Sequence, residues 1–332
     1  LTAFTGAAFS YGSLLIIRLL FGAGEAGAFP GMSRAVFSWF PLRERGLVLG
    51  LNFSGSRLGA AFALPLVAWL IESYGWRMSF YILGGVGVVW AILWWLAFRD
   101  RPEEHQAVSE KEKEYILANR QQSDDKEQLA SIPIGQLLQS SNMLSAIGQY
   151  FASNFTFFFA LSWLFPFLKE QYNLEAVEAG WASVAPFIFG ALGNWLGGIW
   201  MDSLFQNSTW RRSRILPAIT GFGMAALGMM GSVYADNLWL AVAFLSIAIM
   251  GADMTLPTSW ALCVDIGKEQ SGRVSGLMNM AGNVGAFLTA LAFPYLKDWT
   301  GSMDVFFYTA AGLNLLAIWL WTRVEPAKGL ES

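Results

Sequence analysis

The sequence is poor in charge. Only 14% of its 332 residues are Asp, Glu, Lys or Arg, against about 25% in soluble domains. It has one cysteine, Cys263, and one histidine, His105. A single cysteine excludes an intramolecular disulfide and a Cys-rich metal centre. A single histidine, set in a polar stretch, excludes His-dependent triads, HExxH zinc sites and multi-His iron sites. No Gly-Lys-Ser/Thr follows a glycine-rich turn, so a phosphate-binding loop for ATP is lacking. The net charge of −3 speaks against a nucleic-acid partner. No signal peptide is visible. The residues call for no cofactor and no metal.

What is abundant is apolar. The chain is 55% hydrophobic, with 16 Trp and 26 Phe and a mean hydropathy of +0.44. An all-α polytopic membrane protein with aromatic belts at both interfaces is expected. Apolar runs of about 20 residues mark spanning helices. After a stub at 1–9, nine are expected, over 11–40, 45–71, 76–98, 141–168, 176–204, 213–234, 238–265, 270–296 and 303–322. One hydrophilic stretch, residues 99–140, divides them and reads as a solvated linker with room for a short amphipathic helix. Fifteen of the 21 Lys and Arg fall in loops on the linker's side, three in loops on the other, and Arg18, Arg34 and Arg57 inside helices. By the positive-inside rule the linker and the C-terminus are cytoplasmic, in a plasma (inner) membrane.

A repeat runs through the apolar segments. Gly46-Leu-Val-Leu-Gly50-Leu, then Gly55 and Gly59-Ala60, returns as Gly272-Arg-Val-Ser-Gly276-Leu, then Ala281 and Gly285-Ala286, at an offset of 226 residues. Each unit follows a helix with an acid shortly before a proline: Glu25 before Pro30, Asp253 before Pro257. Both units face the same way. Parallel repeats about an axis along the membrane normal are the arrangement of major facilitator halves.

Charges inside the spans need a reason, because each costs roughly 2.5–3.5 kcal/mol at mid-membrane on insertion scales. Arg18 and Glu25 share a helix face, about 10.5 Å apart in rise, too far for a tight ion pair. Arg57 lies about 18 Å into its helix, close to the midplane. Asp253 lies midway along its own. Arg57 and Asp253 are expected to pair between the halves, either as a link that a substrate carboxylate or a proton disrupts, or as a static salt bridge. Arg34, on the face opposite Glu25, is expected to snorkel. Pairs such as Gly46/Gly50 and Gly193/Gly197 read as close-packing seams.

The stretches Arg18-x6-Glu25-Ala-x-Ala-Phe-Pro30, Trp39-Phe-Pro41-x-Arg43-Glu44-Arg45-Gly46 and Asn52-x-Ser54-Gly55-Ser56-x-Leu58-Gly59 carry a family resemblance. So do Trp76-Arg77 with Phe80, Trp163 with Pro166, Gly198-x3-Asp202 followed by Arg211-Arg212-x-Arg214, and Trp260-Ala-x3-Asp265-Ile. The chain resembles the anion:cation symporter family of the major facilitator superfamily. The resemblance implies a fold of two six-helix halves, here lacking the first two helices and most of the third. It divides the chain into 1–98 (end of helix 3, helices 4–6), the linker 99–140, a second six-helix half at 141–323 and a tail at 324–332.

The resemblance also implies roles. Glu25 matches the family's protonatable glutamate and Arg18 the arginine below it. Glu25, with Asp253, is the candidate for the coupling proton, since burial disfavours the charged carboxylate; the alternative is a structural polar network. Ser56, Asn154, Trp163, Ser259, Trp260, Asn279 and Asn283, with Arg18 and Arg57, are candidate substrate contacts, each of which could instead bond helix to helix. Asp202 with Arg211, Arg212 and Arg214 resembles a conformational latch, the alternative being plain positive-inside charge. The implied activity is H⁺-coupled symport of a small organic anion, such as a sugar acid, by alternating access of a monomer in the bilayer. The alternatives are a carrier for another solute, by uniport or exchange, and a relative of the fold that does not transport. A membrane-embedded enzyme would need reactive groups that the spans do not carry.

Overall fold

The computed structural model describes residues 1–121 and 133–328. Among them it contains helices and no strands. The first half comprises α1 (Thr2–Gly6), α2 (Tyr11–Glu25), α3 (Ala28–Trp39) and α4 (Arg45–Ala97). The linker carries α5 (Glu110–Asn119) and α6 (Ile134–Leu137). The second half comprises α7 (Ser141–Ser162), α8 (Leu164–Gln171), α9 (Ala176–Asn207), α10 (Trp210–Val233), α11 (Leu238–Gly267), α12 (Ser271–Thr300) and α13 (Asp304–Thr322). Each of the nine apolar stretches is helical. Among the described residues, six helical stretches are long and apolar enough to cross a membrane, or seven if α7 and α8, bent by 59° at their junction, form one span. The stretch Leu238–Thr300 holds both α11 and α12.

Local chemistry sets the breaks. Gly75 takes φ +80°, a left-handed conformation that a glycine adopts without steric cost, and it parts α4 into arms at 45–74 and 76–97. The span at 11–40 is interrupted at 26–27, directly after Glu25. Ser10, Ser109, Thr209 and Asn237 cap the starts of α2, α5, α10 and α11 with side-chain oxygens, satisfying amides that the first helical turn leaves open.

Helix α11 is the axis of the packing, buried without interruption from Gly251 to Gly267. Small residues let its neighbours approach. A Cβ on Gly193 of α9 would collide with the Met250 carbonyl, and one on Gly221 of α10 with that of Gly251. Such seams are how membrane helices associate without a hydrophobic driving force.

The halves meet where α4 lies along α9 and α3 along α12. At the linker end, Gly46 and Gly198 touch backbone to backbone, and a Cβ on Gly46 would sit on the Gly198 carbonyl and the Asp202 carboxylate. Gly46→Ala is therefore expected to disfavour this closed arrangement by about 1–3 kcal/mol, the usual cost of overpacking. Spin labels at positions 44 and 207 should report a longer distance in the variant. An unchanged distance distribution would refute the clash.

The linker docks on this end. Tyr115 donates to Glu44 at 2.6 Å, and Arg120 donates to the Ser38 carbonyl at 3.2 Å. The linker charges Asp124-Asp-Lys-Glu127 lie outside the described residues.

Candidate functional site

A cavity of about 770 Å³ lies between the halves. The first half lines it with Glu25, Phe29, Phe53, Ser56 and Arg57, the second with Tyr150, Ser153, Asn154, Phe157, Phe187, Asp253, Asn279 and Asn283. The repeat explains part of this lining: Glu25 and Asp253 each close the segment before a proline, and Asn283 stands 226 residues beyond Arg57.

Arg57 and Asp253 meet at the centre. Arg57 donates from Nε to Oδ2 at 2.8 Å and from Nη2 to Oδ1 at 2.7 Å. The guanidinium also lies over the Phe157 ring, 3.6 Å from its centroid. The Asp253 side chain is 1% exposed and that of Arg57 14%. A bidentate fork fixes orientation as well as charge. Gly190 of α9 makes room for the carboxylate, since a Cβ there would overlap Asp253 Oδ2.

Below the pair the cavity ends in an aromatic layer. Trp260 is fully buried and packs on Phe29 (5.5 Å between centroids), Phe53 (5.6 Å) and Tyr150 (5.9 Å). Its indole N–H donates to the Tyr150 hydroxyl at 3.0 Å. Phe29 and Phe53 come from one half, Tyr150 and Trp260 from the other, so the layer spans the interface.

Below that layer, at the linker face, lies a second charged cluster. Asp265 accepts from Arg45 Nη1 at 2.8 Å, Arg214 Nε at 2.7 Å and Trp210 Nε1 at 2.9 Å. All three charged side chains are fully buried. Gln121 of the linker completes it, accepting from Arg45 and donating to the Asp265 carbonyl, both at 2.9 Å. Asp202 caps the start of α4 from the opposite half, accepting from the Gly46 and Leu47 amides at 2.8 and 2.7 Å. A carboxylate at a helix N-terminus meets open N–H groups and the positive end of the dipole.

The expected residues divide accordingly. Glu25, Ser56, Arg57, Asn154, Asp253, Asn279 and Asn283 all line the cavity. Glu25 is exposed there rather than buried. Arg18 is not brought to the cavity; it is exposed, against Phe21 and Phe80 at 5.8 and 5.4 Å. Trp163 sits at the α7–α8 bend, stacked on Phe293 at 5.3 Å. Ser259 is buried and donates to Gln149 Oε1 and the Thr255 carbonyl, which is helix bonding. Trp260 stands behind the wall. Arg214 turns to Asp265 instead of Asp202. Arg211 pairs with Glu325 at 2.9 Å and bonds the Thr322 and Val324 carbonyls, and Arg212 is exposed. Arg34 pairs with Glu269 across the interface. Tyr150, Ser153 and Phe157 are lining residues that sequence reasoning missed. Their signal was a polar and aromatic stripe at helical spacing beside Asn154.

Comparison with known proteins agrees with this architecture. The profile of the Major Facilitator Superfamily matches residues 1–290. The probable galactarate/D-glucarate transporter GudP of Escherichia coli K12 is 32% identical over 304 residues, covering 88% of this chain and 67% of that protein. The probable sulfoacetate transporter SauU of Cupriavidus necator is 28% identical, covering 94% of this chain and 72% of its own length. Human sialin is 30% identical over 340 residues, covering 97% and 66%. The chain thus spans about two thirds of the length of these relatives. Among solved structures, a variant of the E. coli fucose:proton symporter FucP superposes with a TM-score of 0.65 at 12% identity, covering 97% of this chain and 80% of that one. The proton:xylose symporter XylE does so with a TM-score of 0.70 at 14% identity, covering 99% and 78%. Two packed halves, an intervening cavity and an extensive sequence match lead to one conclusion: the chain belongs to the Major Facilitator Superfamily, as a multi-pass membrane transporter.

Proposed function

We propose that this protein carries a small organic anion of the sugar-acid class across the membrane together with a proton, by alternating access. The observation that carries this reading is the guanidinium of Arg57, fixed at the centre of a cavity between two halves. Asn154, Asn279, Asn283 and Ser56 surround it with donors and acceptors suited to hydroxyls. Relatives named as galactarate/D-glucarate, sulfoacetate and hexuronate transporters support the anion class. Glu25 and Asp253 are the cavity acids that would carry protons.

In this reading the structure is the state shut at the linker face, held by Asp202 on α4 and by Arg45, Asp265 and Arg214. The loop charges support a cytoplasmic linker in an inner membrane. One chain supplies both walls of the cavity, which fits a working monomer.

The test is uptake into proteoliposomes by the full-length protein, with labelled D-galactonate, D-glucuronate and D-glucarate, with and without an inward proton gradient. Gradient-driven uptake of at least one acid is expected, falling at least about tenfold in Glu25→Gln, in line with the usual worth of a proton-transfer group. Uptake of neutral sugars alone would overturn the anion reading. Equal uptake with and without the gradient would overturn the coupling.

A further inference from the structure

The Arg57–Asp253 pair is asymmetric. Asp253 occupies one edge of the guanidinium through Nε and Nη2, and Phe157 covers a face. Nη1 makes no hydrogen bond among the described residues, and Arg57 lines the cavity. With its side chain 14% exposed, Arg57 can be reached by a ligand. Asp253, at 1%, cannot.

Among the described residues, Arg57 is the charged group that contacts Asp253. At its level α9 presents Gly190, and α7 presents Ser153 and Phe157. The charged or titratable groups facing the cavity among the described residues are Glu25, Arg57, Tyr150 and Asp253, and the Tyr150 hydroxyl is held by the Trp260 indole N–H.

We propose that Asp253 is the acid whose protonation is linked to anion binding at Arg57, and that Glu25 is not. The proposal rests on the organic-anion reading above. A substrate carboxylate arriving at Nη1 places two carboxylates on one guanidinium. The substrate's carboxylate keeps contact with water in the cavity; that of Asp253 has none. An under-compensated charge in a dry wall is the costly member of such a trio. As the guanidinium turns toward the anion it gives up its hydrogen bond to one Asp253 oxygen, a hydronium ion of the cavity water passes its proton to the oxygen so freed, and the site returns to the charge it had before the anion entered. Glu25 lines the cavity from α2 and has no ion pair among the described residues, so an anion arriving at Nη1 does not share a guanidinium with it. Its proton is left to the return step of the cycle.

The experiment adds D-glucarate to purified protein in weakly buffered detergent containing a pH indicator. Wild type and Glu25→Gln should each take up about one proton per anion bound, and affinity should rise as pH falls, as linkage requires. Asp253→Asn should bind the anion with no proton uptake and with affinity independent of pH. Uptake that persists in Asp253→Asn, or vanishes in Glu25→Gln, overturns the assignment. A second measurement needs no variant. Infrared difference spectra of wild type on adding D-glucarate should show a protonated-carboxyl band that shifts with ¹³C-aspartate labelling, and a shift only with ¹³C-glutamate overturns the proposal. D-glucarate binding without proton uptake in wild type overturns the linkage alone. Failure to bind D-glucarate and D-galactonate at any pH overturns the organic-anion reading, and the linkage with it.

Discussion

Asp265→Ala is expected to open the linker face and expose Cys263 to maleimide. Asp265 is the acid that both Arg45 and Arg214 contact, and neither arginine side chain has any exposure. Removing one member of a buried ionic cluster costs about 3–5 kcal/mol, because the remaining charges stay desolvated and unpaired. Here two guanidinia would be left to repel each other. They belong to different halves, so separating the halves at this end brings water to both. At about 1.4 kcal/mol per decade, the ratio of closed to open molecules should fall at least about a hundredfold. Cys263 is the single cysteine and is fully buried, two residues from Asp265 on the same helix, so its labelling rate reports this opening without an added probe. Asp265→Asn, which keeps one oxygen acceptor, should label more slowly than the alanine variant and faster than wild type. Protection of Cys263 equal to wild type in Asp265→Ala, with an unchanged melting temperature, would show that the cluster holds nothing shut.

Arg45, Asp265 and Arg214 each fall within a sequence motif, but nothing in the sequence sets them apart from their neighbours. Depth along a span was legible: counting from helix ends placed Arg57 and Asp253 near the same level, and they form a bidentate pair. The repeat was legible too, and it puts Glu25, Asp253 and Asn283 on one cavity. What a linear sequence does not show is azimuth. Ser259 and Trp260 stand among cavity-level residues in the chain, yet α11 is buried on every side there. One therefore turns to Gln149 and the other backs the wall with Phe29 and Phe53. Arg45, Arg214 and Asp265 were harder still. All lie near helix ends, where positive charge is ordinary on the linker side, and only their convergence makes them a cluster. Asp202 shows the same limit. Its nearest charges in sequence are Arg211, Arg212 and Arg214, while its partners are two backbone amides 155 and 156 residues away, and amides have no sequence signature.

The three levels along α11 divide the work of one helix. Asp253 meets the cavity, Trp260 the aromatic layer about 10.5 Å further on, and Asp265 the linker-face cluster about 7.5 Å beyond that. At each level the partner comes from the first half: Arg57, then Phe29 and Phe53, then Arg45. On the organic-anion reading proposed above, a carboxylate that draws on Arg57 would act on the first of three contacts between α11 and the opposite half. Two-state elements of this kind let a local change of charge be read out as a domain movement.

The sharpest test of whether the Arg57–Asp253 pair is a working anchor or a fixed brace compares two neutralisations with their combination. Arg57→Met leaves the buried Asp253 carboxylate without its partner and should cost about 3 kcal/mol. Asp253→Asn should cost less, about 1–2 kcal/mol, because Arg57 keeps some access to the cavity and its contact with Phe157. The double variant removes both charges and is expected to recover to within about 1 kcal/mol of wild type, since replacing a whole buried pair by neutral groups is often near neutral. The non-additivity of melting temperatures across the cycle measures the coupling. A charge reversal is the weaker design: Gly190 leaves space beside Asp253 for a carboxylate, and an arginine at position 253 would have to displace α9. Uptake separates the two roles. If the pair only braces the halves, the double variant regains transport along with stability. If Arg57 anchors the anion, the double variant is as stable as wild type and does not transport, and recovered uptake of D-glucarate by that variant would remove Arg57 from the binding site.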